Sequence, residues 1–574
     1  MKKESGKKRG RWAGLLAALV AVNLLASFVH YRMDLTEDKR YSLTPATRQL
    51  LQSLDDRLVV TVFLKGDYPA GFKKLSNSTE EFLRLLRETN TSQVTYRFVS
   101  PEEEAGGGKT WGDSLASMGA VPINLTVQVK SGQESKLVYP VALLQYKDQA
   151  GLVNIYKGST RLITPQELNN AEAMMEYQFA RTIDRLLHPD RPFVAYAVGN
   201  GEPAGPETYD LQQTLRNDYN LFTLDLQKQN SIPDTIKALL IVKPSTPFTD
   251  DQKLKIDQYV MRGGKVLWFV DNLFAEQDSL SFKAQLIAYE RNLNLQDILF
   301  RYGVRLNPDL LMDLQCDFMP FAVGGSAGNP QYEFLHWNYF PLFESRDNHI
   351  INKNIGLVAG RFVNSIDTVE AEGIKKTFLL QSSANSRTIS TPALISPNEN
   401  RNAPEDALFQ KNGLPAAVLL EGSFASLYRG RISRAQMDSL RPIGGFRDSG
   451  PADGKMIVAA DGDLVLNDVS TRQGPLPMGM NLYTAGSQYE YQFANRDFLL
   501  NCLEYLTSKS SIIETRNKEN VLRLLDTRKV EAEKTFWQLI NIGLPLALVI
   551  LAGVVYQYVR KRKFTSLQVH EFTS

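Results

Sequence analysis

Cysteine and histidine are nearly missing from this chain, with two and five residues in 574. Cys316 and Cys502 supply neither a disulfide framework nor a CxxC redox or zinc site. Of the histidines, His30 stands at the end of an apolar run, His188 closes a helical stretch and His570 belongs to the last residues. Only His336 and His349 are placed to act as a base. No Gly-x-Ser-x-Gly elbow is read beside them and neither cysteine is expected to end a central strand, so hydrolase chemistry is not expected. A basic surplus is also lacking: 65 Lys and Arg face 63 Asp and Glu, a net +2. Residues 1–11 balance to +5 and residues 560–574 to +3, which leaves about −6 for the stretch between. That acidic middle excludes nucleic acid, whose phosphates demand a basic face.

Long apolar runs, by contrast, are present. Trp12 to Tyr31 and Phe536 to Val559 hold twenty and twenty-four residues without Asp, Glu, Lys or Arg. Each is long enough to cross a ~30 Å hydrocarbon core as a helix. Pro545 is expected to kink the second, which membrane helices tolerate. The first is long for a signal peptide, and Ala26–Phe28 makes a poor cleavage site, so it reads as an uncleaved anchor. The basic flanks place both tails in the cytoplasm and the large middle outside.

Between the anchors, at 43% hydrophobic and 22% charged, lies a folded body of several domains. Residues 32–189 read as a first α/β domain with its juxtamembrane segment. Thr44 and Pro45 make a helix start, hydroxyl cap then proline. Arg57–Gly66, Thr79–Thr89 and Gln93–Ser100 read as strand, helix and strand. The segment Asp34, Leu35, Thr36, Asp38, Lys39, Arg40, Tyr41 is charged and close to the bilayer, either a solvated tether or a docking segment for a membrane partner. The domain's order is similar to a thioredoxin-like fold, with Gly66–Gly71 where redox cysteines would be. Residues 190–272 and 451–510 form a second domain. Its continuous apolar runs alternate with helices, the pattern of a doubly wound parallel sheet covered on both faces. Residues 273–450 read as an insertion before that sheet's last strand, and residues 511–535 as a helical stalk. Membrane helices at 12–31 and 536–559 and cytoplasmic tails at 1–11 and 560–574 complete the chain.

Three stretches imitate chemistry. Gly108-Lys109-Thr110 is the second half of a phosphate-binding loop, but Glu103 stands where its first glycine belongs, between Glu102 and Glu104. Those carboxylates repel a polyphosphate, and Trp111–Gly119 is too short for the long helix that faces one. Asp461, Asp463 and Asp468 suggest a divalent-metal loop, yet one acidic turn after a strand is more often a helix cap. The loop Gly199, Asn200, Gly201, Glu202 follows the second domain's first strand, where open α/β sheets bind ligands. A deep apolar cleft there would favour ligand binding, and a filled one a structural scaffold. No metal or other cofactor is expected.

The stretches "MDLTEDKRYSLTPATRQLL", "KVLWFVDN", "ADGDLVLND", "NRDFLLNCLEYLT" and the closing "LRLLDTRKVEAEKTFWQLINIGLPLALVILAGVVYQYVRKRKF" resemble the GldG family of gliding-motility ABC transporter auxiliary proteins, described as substrate-binding. The resemblance spans essentially the whole chain and is weakest over 273–450. It implies a non-catalytic subunit in the bacterial inner membrane, beside an ABC permease and an ABC ATPase, with its large domain periplasmic. A small-molecule or envelope ligand would be bound there. It also implies a class I glutamine amidotransferase-like middle domain. That fold carries a nucleophilic cysteine at a strand-to-helix elbow, whereas the strand Ile236–Ser245 ends here in Lys243, Pro244 and Ser245. The departure favours a binding domain. The rival readings are a structural scaffold of the envelope and a hydrolase with His336 or His349 beside an acidic partner.

Overall fold

The computed structural model describes residues 42–106, 108–120, 122–129, 132–156, 165–276, 285–326, 329–344, 349–396, 406–508, 511–517 and 527–568, with the isolated positions 14 and 20. Apart from those two positions, the expected anchor 12–31 lies outside the described residues. So do the docking segment Asp34–Tyr41 and residues 518–526 of the expected stalk. The chain divides into two units, Met1–Asn520 and Val521–Ser574.

The first unit opens with helix α1 (Pro45–Gln52), whose cap Thr44 accepts the Thr47 amide and is held by Glu176 through contacts of 2.7 and 2.8 Å. Strand β1 (Leu58–Val62), helix α2 (Ala70–Thr89) and parallel strand β2 (Val94–Phe98) follow, then the antiparallel hairpin β3 (Val141–Tyr146) and β4 (Gln149–Asn154). The sheet order is β2-β1-β3-β4. Helix α3 (Pro165–Leu187) covers it, burying Met175, Phe179 and Ile183 against Leu58, Val60 and Leu144. The Gly-Lys-Thr stretch lies in a small hairpin of Glu104–Gly106 with Lys109–Thr110. Thr110 caps the seven-residue helix Trp111–Ser117, and Glu103 pairs with Lys65 at 2.9 Å. The glycine stretch is thus part of a turn whose threonine serves as a helix cap.

The second domain runs β5 (Phe193–Val198), α4 (Tyr209–Asp218), β6 (Asn220–Asp225), β7 (Ile236–Val242), α5 (Asp250–Met261) and β8 (Lys265–Phe269). After these come the hairpin β9 (Cys316–Ser326) and β10 (Asn329–Phe343), then β11 (Ile374–Gln381), β12 (Pro415–Gly422), β13 (Lys455–Ala459) and α6 (Asn495–Thr507). Seven strands form one sheet in the order β6-β5-β7-β8-β13-β12-β11. The first five are parallel and the last two antiparallel. Alternate residues of one strand supply opposite cores: Leu240 and Val242 face one, Leu239 and Ile241 the other. This is why the strands read as unbroken apolar runs. Residues 273–450 are not wholly outside the sheet, because β11 and β12 extend it beyond β13. The run Ala416–Leu420 is buried on both faces, as an interior strand must be.

The second unit contains helix α7 (Thr527–Gln568) with Pro545 inside it. Its stretch Glu533–Arg562, within which an eighteen-residue window reaches a mean hydropathy of 2.3, is the one helix among the described residues long and apolar enough to cross a membrane. Leu539 and Val549 are 69% and 70% exposed, and apolar residues stand on every side of the helix, the pattern of a membrane-spanning segment.

Candidate functional site

At the C-terminal ends of the parallel strands, three separate segments converge. Lys243 follows β7, Asp271 follows β8, Glu276 lies five residues further, and Asp463 follows β13. The Lys243 ammonium stands 2.7 Å from Asp463 Oδ1, 2.9 Å from Glu276 Oε2 and 3.5 Å from Asp271 Oδ2. Burial opposes its charge, but the attraction of Asp463, Asp271 and Glu276 outweighs that and holds the amine well above its ordinary range. Burial pushes the Asp271 carboxyl up to about 6 against the pull of Lys243. Asp461 is fully buried, accepting the Asp463 and Arg361 amides at 2.8 Å each. Burial, then the neighbouring carboxylates Asp271 and Asp463, raise it well above the usual range. Gly462 is required here: a Cβ on it would lie 2.6 Å from the Lys243 Cβ. Asp468 makes a two-pronged pair with Arg361 at 2.6 and 2.7 Å, which outweighs burial and lowers its pKa. Of the three aspartates read as a possible metal loop, Asp463 is paired to a lysine and Asp468 to an arginine.

The loop Gly199–Glu202 stands at the same sheet edge. Asn200 is buried; its carbonyl accepts the Ser245 and Thr246 amides at 2.8 and 2.9 Å, and its amide group exchanges hydrogen bonds with Gln252. Glu202 Oε2 accepts the Asn200 N–H at 2.7 Å, Oε1 has no partner, and burial raises the carboxyl. A Cβ on Gly201, at φ +73°, would lie 2.1 Å from Ser245 Oγ. The loop therefore braces β5 against the chain after β7.

Cys502 and His349 stand apart from the other candidates, whereas Cys316, Asp317 and His336 line one cavity; the Cys316 thiol there lies 3.6 Å from the Leu314 carbonyl and 3.5 Å from Asn338 Oδ1. Cys316 begins β9 and Cys502 lies in α6, both buried as free thiols, and burial raises both. His336 Nδ1 lies 3.0 Å from the Cys316 carbonyl, and His349 Nδ1 accepts the Ile351 amide. Gly324 to Gly328 does spell Gly-x-Ser-x-Gly, but Ser326 ends β9 in a hairpin, exposed, with no strand-to-helix turn.

Cavities occur elsewhere. Helix α3 clamps the two domains: Arg181 meets Asp218 at 2.6 Å and Glu504 at 3.5 Å, and the Tyr177 hydroxyl donates to Glu504 at 2.5 Å. Arg185 also pairs with Asp218. Alongside lies a polar cavity of about 130 Å³ lined by Tyr177, Arg181, Asn354, Tyr491, Asp497 and Arg516. A second cavity, of about 630 Å³, is lined by Phe318, His336, Leu342, Tyr489, Tyr491 and Phe493. A third, of about 360 Å³, lies beside Asn272, Leu299 and Phe300. Sequence reasoning missed the clamp and the first two cavities. The available signal was Tyr177, Arg181 and Arg185 at four-residue spacing, a polar stripe on a helix whose other face is apolar.

Residues 191–502, more than half of the chain, match a family model described as an ABC-type uncharacterized transport system. The chain belongs to this family of auxiliary components. Residues 37–145 match a domain of unknown function. An uncharacterized protein of Borreliella burgdorferi is 18% identical over 419 residues, covering 70% of this chain and 75% of the relative. Among solved structures, the mmIFT52 N-terminal domain is 13% identical, with a TM-score of 0.30, over 55% of this chain and 97% of that one. The exo-beta-1,4-mannosidase Op5Man5 from Opitutaceae bacterium strain TAV5 is 9% identical, with a TM-score of 0.18, over 74% of this chain and 51% of that one. Neither structural likeness is close enough to carry an argument. Membership implies an accessory, membrane-associated role with an ABC transport system.

Proposed function

We propose that the chain is a non-catalytic, membrane-anchored accessory subunit of an ABC transporter, in the substrate-binding role of a gliding-motility system. It would sit in the inner membrane on two helices, both termini cytoplasmic and the large body periplasmic, beside a permease and the ATPase that hydrolyses ATP. The observation that carries the proposal is where the chain enters and leaves its body. Helix α1 and the turn Ser511–Asn517 both pack on α3, and Ile512 shares one core with Leu43, Leu51 and Phe179. The turn ends ten residues before α7. Two adjoining ends suit a body fixed against a bilayer at one place.

The order β2-β1-β3-β4 with its closing helix supports the thioredoxin-like reading, and the parallel sheet supports the amidotransferase-like one. Lys243, at the position after β7, is not placed to act as a nucleophile. An ammonium bound by three carboxylates has no free lone pair to attack with. A scaffold that binds no ligand is the second reading, favoured by the packed loop Gly199–Glu202.

Purification from native membranes in mild detergent is expected to bring down a permease and an ATPase in stoichiometric amounts. Both should be lost when Asp34–Leu43 or α7 is replaced. Neither partner at any detergent strength would overturn the accessory reading.

A further inference from the structure

The two cavities beside α3 and the β9–β10 hairpin are neighbours. Tyr491 lines both; Gly356 lines the polar one and Leu357, the next residue, the apolar one. Their walls differ in kind. In the polar cavity Arg516 is 1% exposed and forms no ion pair among the described residues. Its Nη2 donates to the Lys353 carbonyl at 2.9 Å and its guanidinium lies 4.9 Å from the Tyr177 ring centre, while Nε has no partner. Asn354 Nδ2, on a residue held at φ +58°, is also buried without an acceptor. A buried cation without a counter-ion costs several kcal/mol, and unmet buried donors add ~1–3 kcal/mol each. An anionic group placed here answers both. Glu167 and Asp497 share the wall, and Glu167 already accepts the Tyr156 hydroxyl at 3.0 Å. The complementary head therefore carries an ammonium beside its anion.

The larger cavity is built of apolar and ring surface. Phe318 stands between His336 and Tyr489, with ring centres 4.2 and 4.7 Å away, and Leu314, Leu342 and Phe493 continue the wall. At about 630 Å³ it falls in the ~300–1,000 Å³ range of small-molecule sites. A polar cavity of about 130 Å³ holds a small charged group, since one water needs only ~10–15 Å³.

We infer that these two neighbouring cavities together bind one zwitterionic amphiphile, its phosphate-and-ammonium head at Arg516 and its apolar body along Phe318 and Tyr489. This gives a substrate class to the accessory-subunit reading, yet it is tested on the chain alone, so failure of one does not entail failure of the other. The residue bearing the guanidinium lies in the turn that leads to α7, which brings the head site close in sequence to the bilayer segment.

The test uses the full chain in phosphatidylglycerol nanodiscs, whose lipid carries no ammonium, titrated with a short-chain lysophosphatidylethanolamine below its micelle concentration and read by native mass spectrometry. Phosphoethanolamine and decanol serve as head-only and tail-only probes. The joined probe should form a saturable one-to-one adduct and bind at least ~tenfold more tightly than either part, because linking makes the second contact intramolecular. Arg516→Gln should weaken the joined probe ~tenfold or more without touching decanol, the size of a lost charged hydrogen bond. Tyr489→Ala should weaken both. Should Arg516→Gln lower the melting temperature, Gln178→Glu sets a like charge in the same wall and carries the test. Adducts that do not saturate at one, or that persist equally in the variants, would mean partition into lipid and overturn the inference. Binding of phosphoethanolamine as tight as the joined probe would reduce the site to a free-headgroup site and overturn the amphiphile.

Discussion

Replacing Lys243 by methionine is expected to destabilise the first unit by about 3–5 kcal/mol, the usual cost of removing one partner from a buried ion pair. The variant leaves Asp271, Glu276 and Asp463 facing one another without their shared cation, while Arg291 still holds Glu276 at 2.9 Å. The loss should depend on pH, and its sign follows from Asp271. Burial holds that carboxyl at about 6 in the fold, above its ordinary 3.8. A carboxyl raised in this way adds stability that is complete below the ordinary value and fades as pH rises through the folded one. Without the ammonium its pKa climbs further, so protonation relieves more of the repulsion at pH 5 than at pH 8. Urea unfolding of the full chain in nanodiscs, followed by tryptophan fluorescence, should show the smaller deficit at pH 5. An equal deficit at both values would mean that the lysine matters for its packed stem and not for its charge.

Arg181→Leu should cost a similar ~3–5 kcal/mol and, more tellingly, loosen the two domains from each other. Arg181 spans Asp218, at the end of α4, and Glu504 in α6, both largely buried, and Tyr177 shares Glu504. Leucine fills part of the space but leaves two carboxylates with less compensation, Asp218 keeping only Arg185. Hydrogen exchange should quicken in α3 and in residues 354–356, and a protease should reach the connection 188–192 sooner. Arg181→Lys should rescue only part, since one ammonium cannot reproduce a planar fork reaching two acceptors. Faster exchange throughout the first unit, without preference for α3, would show global destabilisation and remove the clamp argument.

How much of this was legible beforehand differs by element. Thr44 and Pro45 announced α1 because capping is local: the hydroxyl that ends the run of free amides lies three residues from the amide it accepts. The strands β5, β7, β8 and β13 were legible because a strand buried on both faces has to be apolar throughout. The span within α7 declared itself by length and hydropathy. The strands β11 and β12 did not reveal that they join the main sheet, since antiparallel pairing across the sheet edge leaves no period that names the partner.

The site was legible only in fragments. Asp461 and Asp463 stood out as an acidic turn, and Lys243 as the residue in place of a cysteine, but nothing local connected them. They are about 220 positions apart, and Tyr177 and Glu504 are separated by 327. Arg516 fell within the stretch read only as a helical stalk, and nothing local marked it; its burial follows from the turn Ser511–Asn517 packing back on α3. Sequence by itself thus determined the apolar spans, the α/β alternation, the acidic middle and the shortage of catalytic side chains, all properties of composition and short-range period. Tertiary structure alone decided that a lysine fills the sheet-edge crevice, that α3 clamps two domains, and that an unpaired arginine faces a cavity. Burial and charge pairing are set by which distant segments meet, and no local pattern records that.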